Sequence, residues 1–179
     1  MRRIWVTQQT ELPLKMLTLL PACAIKLKNN AEVDKMYFED FELGMSVETA
    51  PAFIDKEKML DFARLYDNLP LHMDEEYGKK TVFGGMIAPG VMTFMSVWVK
   101  FLELNLFGDE IVAGKSTKIE WLKPVYPNDT LVGKVSVTRL EKRNAYNGIV
   151  EVFVEAFNQH AELVLTDYTE FIIKCRPSE

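Results

Sequence analysis

Cysteine and histidine are scarce in this chain, with two of each among 179 residues. Cys23 and Cys175 stand far apart and neither belongs to a CxxC pair. That excludes a disulfide framework and the usual zinc spacings, and it suits a reducing compartment such as the cytoplasm. Long basic runs are missing as well. With 21 Lys and Arg against 26 Asp and Glu, the formal net charge is −5, so nucleic acid is not an expected partner. No apolar run approaches the ~20 residues that a membrane span requires. Neither internal repeats nor low-complexity segments occur.

What is present is a 48% hydrophobic chain of mixed charge, long enough for one domain with a real core. Residues 1–36 read separately, as an extension or linker. They hold two arginines, a short apolar stretch from Met16 to Ala24 and an A-x-A pattern at Ala22 to Ala24, which together resemble a secretion signal. Glu11, Lys15 and the Gln8-Gln9 pair separate the arginines from the apolar stretch, and Pro21 breaks it, so an extension is the better reading. Met36 opens what reads as a complete domain, residues 37–175.

Within that domain "SVETAPAFI" (46–54) suits a first strand, weakened by Pro51. "DKEKMLDFARLYD" (55–67) is a helix with Asp55 as N-cap, and Met59, Phe62, Ala63 and Tyr66 are expected on its buried face. Pro70 stops it, leaving Asp67 in its last turn and His72 on an extended or irregular segment. A glycine-rich loop (81–90) leads into an almost wholly apolar helix, 91–108, with Gly108 as C-cap. Such a helix must be covered on most sides. Four strand signals follow at 111–122, 130–143, 148–158 and 162–174, with Asn147-Gly148 as a hairpin turn. One apolar helix against an antiparallel meander is an α+β layout.

Few residues offer chemistry. "LYDNLPLH" (65–72) holds Asp67 and His72. The plain reading is a polar turn after a helix. The functional one is an acid–base pair around a water, with Leu69, Pro70 and Leu71 pinning the segment to the core. Gly90 opens the apolar helix, where backbone N–H groups lack intrahelical partners and the dipole favours negative charge. A glycine there lets a ligand oxygen approach the backbone. His160 reads as a solvated turn residue, "DEEYGKK" (74–80) as surface, and Glu120 and Trp121 as strand residues. Ser96 has no neighbouring histidine and is not read as a nucleophile.

"YFEDFELG", "DNLPLH", "GGMIAPGVMT" and "IEWLKPVYPNDTL" follow one another in the order and spacing of the MaoC-like dehydratases. The chain resembles this family, which includes the (R)-specific enoyl-CoA hydratases, over about residues 37–175. The resemblance implies a single hotdog fold, a long helix wrapped by an antiparallel sheet. It implies that Asp67 and His72 hold the catalytic water and that the Gly90 N–H is the oxyanion donor, with Gly85, Pro89 and Trp98 at the substrate. The substrate it implies is an acyl thioester of coenzyme A or acyl carrier protein, with no metal or redox cofactor, handled by a homodimer or an assembly of dimers.

Three positions depart from the family pattern. Leu69 stands where an asparagine is usual, Pro89 where a histidine is common, and Trp98 where a serine is common. They suggest a short, branched or modified acyl group. The rival activities are a hotdog thioesterase, whose helix carboxylate could only be Glu103, and a non-catalytic acyl-CoA-binding protein.

Overall fold

A computed structural model describes residues 36–177. The expected N-terminal extension lies, but for Met36, outside the described residues. The chain enters through a 3₁₀ turn, Phe38–Asp40, and β1, Ser46–Glu48. The expected first strand is two pieces, because Pro51 offers no N–H to a ladder. After β1 the chain breaks and resumes as β2, Ala52–Phe53. Both pieces pair antiparallel with the same later strand, and the Thr49 hydroxyl bridges the gap by accepting from Gly133 N–H at 2.9 Å.

Helix α1, Lys56–Tyr66, starts where expected, with the Asp55 carboxylate accepting from Lys58 N–H. Met59 and Ala63 are buried. Tyr66 is not; it sits at the overhanging end of the helix and leans on Phe62, with 5.1 Å between ring centroids. A short helical turn, α2, spans Pro70–Met73 and is followed by α3, Glu75–Lys79. His72 is therefore helical rather than extended. Pro70 occupies the first helical position, where its fixed φ helps and its missing N–H costs nothing.

The long apolar helix, α4, spans Gly90–Leu102, six residues shorter at its end than expected. Beyond it Asn105 adopts φ 50°, so it takes the left-handed role that a glycine usually fills. That reversal turns Leu106 and Phe107 back into the core beside Phe101 and Phe41. Gly108 opens a 3₁₀ turn instead of capping the helix.

Strands β3 (Ile111–Trp121), β4 (Thr130–Lys142), β5 (Asn147–Phe157) and β6 (Leu163–Lys174) complete an antiparallel sheet in the order β1-β4-β5-β6-β3. Asn147-Gly148 already belongs to β5. The turn before it is built by Asn144, whose side-chain oxygen accepts from the N–H groups of Tyr146 and Asn147. Gly148 is small for another reason: a Cβ there would lie 2.4 Å from the Phe38 ring.

Helix α4 lies on one face of the sheet, close enough that a Cβ on Gly133 would be 2.5 Å from Val97 Cγ1. Thr93, Phe94, Val97 and Phe101 point into the core. On the other side Val91, Met95, Val99 and Leu102, at i, i+4, i+8 and i+11, remain about half exposed. The single chain thus leaves one stripe of its most apolar helix uncovered.

Candidate functional site

The site forms where α2, the loop before α4, the start of α4 and the end of β3 meet. Two backbone-directed bonds clamp α2 to the loop. Ile87 N–H donates to Leu71 C=O at 3.3 Å, and the His72 ring Nδ1 lies 2.8 Å from Ile87 C=O. The loop is held to the β3–β4 connection in turn. Ala88 N–H donates to Val125 C=O at 2.7 Å, and the Tyr126 hydroxyl donates to Phe83 C=O at 2.8 Å. Buried Asp129 shapes that connection by accepting from Tyr126 N–H and Gln159 Nε2.

The Ile87 contact fixes the chemistry of His72. A carbonyl oxygen only accepts, so Nδ1 carries the hydrogen. In the neutral ring Nε2 is then the lone-pair nitrogen. Nε2 faces the Asp67 carboxylate at 3.5 Å, too far for a good direct hydrogen bond. Two acceptors at this separation suit a molecule that donates to both, and water does. His72 is buried while the Asp67 side chain keeps a third of its surface. Asp67 caps the C-terminus of α1, its own N–H donating to Ala63 C=O at 3.0 Å.

A cavity of about 250 Å³ opens beside this pair, bordered by His72, Ile87, Gly90, Thr93, Trp121 and Val125 among others. Gly90 is the first residue of α4, so its N–H has no acceptor within the helix. Its lack of a side chain also makes room for a neighbour. A Cβ at Gly90 would meet Trp121 at 2.7 Å, where the indole packs. Lys123, also at the cavity, is paired with Glu162 at 2.6 Å.

The remaining candidates fall elsewhere. Gly85 is buried under α3, where a Cβ on Gly78 would lie 2.5 Å from the Gly85 carbonyl carbon. Pro89 is the buried N-cap residue of α4. Trp98 stacks on Phe171 at 5.5 Å and on Phe94 at 5.3 Å, inside the aromatic core and off the cavity lining. Leu69 and Pro70 are exposed, so the clamp at Ile87 pins the segment rather than those side chains. The Ser96 hydroxyl donates to Met92 C=O, and Glu103 pairs with Lys100 at the far end of α4. His160 is exposed in its turn.

Sequence reasoning passed over two features. Trp121 borders the cavity; its only signal was an aromatic at a strand end. Along the same sheet face, Asp167 is fully buried opposite Ile119, two residues from the Leu165–Trp121 pair. Its carboxyl oxygens lie 2.6 Å from Thr117 Oγ1 and 2.7 Å from Thr169 Oγ1, and the two hydroxyls lie 2.7 Å apart. Three contacts need three protons, and the hydroxyls supply two. A protonated Asp167 would supply the third and close the ring. Burial raises its pKa, only partly offset by hydrogen bonds from Thr117, Thr169 and the Lys118 N–H.

The family model described as MaoC like domain matches residues 40–157. The uncharacterized protein YdeM of Bacillus subtilis (strain 168) is 30% identical over 140 residues, covering 78% of this chain and 99% of YdeM. A solved Archaeoglobus structure, described as a monoamine oxidase regulatory protein, is 30% identical with a TM-score of 0.76, covering 80% of this chain and 97% of that one. The unliganded R-hydratase PhaJ1 of Pseudomonas aeruginosa is 20% identical with a TM-score of 0.64, covering 81% and 93%. The fold these structures share with the chain is the hotdog fold.

Proposed function

The chain belongs to the MaoC-like dehydratase family, and on that premise we propose that it adds water to a trans-2-enoyl thioester, giving a (3R)-hydroxyacyl thioester, or runs the reverse dehydration. The observation that carries the reading is the paired acceptor geometry of Asp67 and His72 Nε2, set by the Ile87 carbonyl. The pair holds one water by both of its hydrogens. Asp67 takes a proton as the water oxygen attacks C3. Electron density moves through the enolate to the thioester oxygen, which accepts from the Gly90 N–H. The Asp67–His72 pair then returns a proton to C2, so the elements of one water are added. A backbone donor of this kind is typically worth roughly 3 kcal/mol in the transition state.

The thioester carrier is coenzyme A or acyl carrier protein. A cavity of about 250 Å³ supports a reading in which the thioester head and a short acyl group enter it and the rest of the carrier stays outside. A second copy of the chain would cover the exposed stripe of α4 and the free edge of β3, which supports a homodimer or an assembly of dimers. The thioesterase reading loses its only helix carboxylate, since Glu103 lies far from the cavity in a surface ion pair. The regulatory description of the Archaeoglobus relative keeps a binding-only reading in view.

Hydration of crotonyl-CoA, followed at the enoyl absorbance, tests the assignment. Asp67→Asn and His72→Gln should each lose about 10²–10⁴ in rate, the range of acid–base groups. Unchanged rates in both would sink the site. Thiol release would favour a thioesterase, and ligand binding without turnover a binding protein.

A further inference from the structure

Beside the Gly90 N–H stands a second donor, Trp121, to which the family resemblance assigned no role. The point where a Gly90 Cβ would sit is 2.7 Å from both Nε1 and Cε2 of Trp121 and 3.2 Å from Cδ1. A point equidistant from the first two and this close to the third lies over the ring face. Gly90 therefore packs beneath the pyrrole half of the indole. The Gly90 nitrogen is about 2.5 Å from the same point by standard bond lengths. The two nitrogens are thus at most about 5 Å apart. That separation leaves room for one oxygen about 2.9 Å from each nitrogen.

Both residues border the cavity that His72 also lines. No group among the described residues accepts from the Trp121 N–H. Its backbone is held at the end of β3 by pairing opposite Leu165, and the residue is 53% exposed, with the indole seated against Gly90. An unused donor beside the oxyanion donor is what a developing enolate oxygen needs, because donors already in place cost little reorganisation during reaction. We propose that Trp121 is a catalytic residue whose indole N–H gives the thioester oxygen its second hydrogen bond, alongside the Gly90 N–H. This rests on the hydration reading above. It also gives Gly90 a reason to be glycine: any Cβ would push the second donor away from the first.

The test separates the N–H from the shape of the ring. Trp121→Phe keeps an aromatic face on Gly90, and replacing Trp121 with benzothienylalanine keeps the full bicyclic shape while exchanging the N–H for sulfur. Crotonyl-CoA kcat should fall about 10- to 100-fold in both, with KM within about threefold, somewhat less than the usual loss of one oxyanion donor because Gly90 remains. A readout without turnover accompanies it. Sorboyl-CoA, a conjugated dienoyl thioester, should show a red-shifted absorbance on binding as its carbonyl is polarised, and both variants should lose a large part of that shift. A benzothienyl protein with wild-type kcat and a wild-type shift overturns the proposal, even if the Phe variant is impaired. Should the wild type fail to hydrate crotonyl-CoA, the hydration reading fails and this one with it. Should Asp67→Asn abolish turnover while the benzothienyl protein stays fully active, only the role of Trp121 falls.

Discussion

Replacing Asp167 with asparagine tests the proton count in the buried ring. The amide has nearly the shape of a carboxylic acid. Its NH₂ can donate to one threonine hydroxyl while its carbonyl accepts from the other, as a protonated Asp167 would. All three contacts, at 2.6, 2.7 and 2.7 Å, keep a proton. An ionised carboxylate would behave differently. Two charge-assisted bonds, each worth roughly 1.5–3 kcal/mol, would become neutral ones of about 1 kcal/mol, so the variant would lose stability by about 1–4 kcal/mol. The pH dependence has a definite sign. The Asp167 pKa is raised in the folded state, so the unfolded chain releases this proton first, from about pH 3.9 upward. The stability that the wild type draws from Asp167 is complete below that pH. It is lost as pH rises through the folded pKa. Urea unfolding of both proteins between about pH 4 and 8 should therefore give curves that agree at the acid end. Asp167→Asn should become the more stable protein as pH rises, the gap widening by at most about 1.4 kcal/mol per pH unit. A variant less stable than wild type by more than about 1 kcal/mol at pH 7, with the deficit growing with pH, would refute the neutral ring.

Further outcomes follow from packing and surface charge. Gly133→Ala should cost about 1–3 kcal/mol, the usual range for overpacking, because its Cβ would lie 2.5 Å from Val97 Cγ1. Adding Val97→Ala should recover part of that cost, so a double-mutant cycle by chemical denaturation should show a favourable coupling; strict additivity would contradict the contact. Glu39 is held down at about 2, chiefly by the Lys142 ammonium, with help from the Arg176 N–H. Its contribution is present above about 4.5 and lost as pH falls through about 2. Its side chain is 39% exposed, so solvent screening limits the effect to about 1 kcal/mol or less. Glu39→Gln should flatten the acid limb of the stability curve by that amount, and an unchanged limb would discount the pair.

The parts of the site that were legible in the sequence are those written in local chemistry. Asp55 as a cap and Pro70 as a helix boundary act within a few residues, and each stands where its own preferences place it; Gly90 stands at the helix start where the sequence put it, though its smallness answers to Trp121. The strand segments were legible because alternation reports burial on one face. Misreadings arose where a distant partner took over. Gly148 was read as a turn residue, but the Phe38 ring is what requires it. The apolar run after Leu102 was read as helix, but the core drew Leu106 and Phe107 back through a left-handed Asn105.

The chain by itself determined an α+β domain with one apolar helix, an antiparallel meander and an Asp–His pair before a helix-start glycine. Helical and strand periodicity, caps and proline act over short spans, so these features need no knowledge of what folds against them. Tertiary structure alone decided which atoms of those residues can work. The His72 tautomer depends on a carbonyl fifteen residues away, at Ile87. The place of Trp121 over Gly90 depends on where β3 ends against α4. The raised pKa of Asp167 depends on its burial, set against two hydroxyls, one of them on the neighbouring strand. Hydrogen-bond direction and proton count are properties of converging groups, and convergence is what folding adds to a sequence.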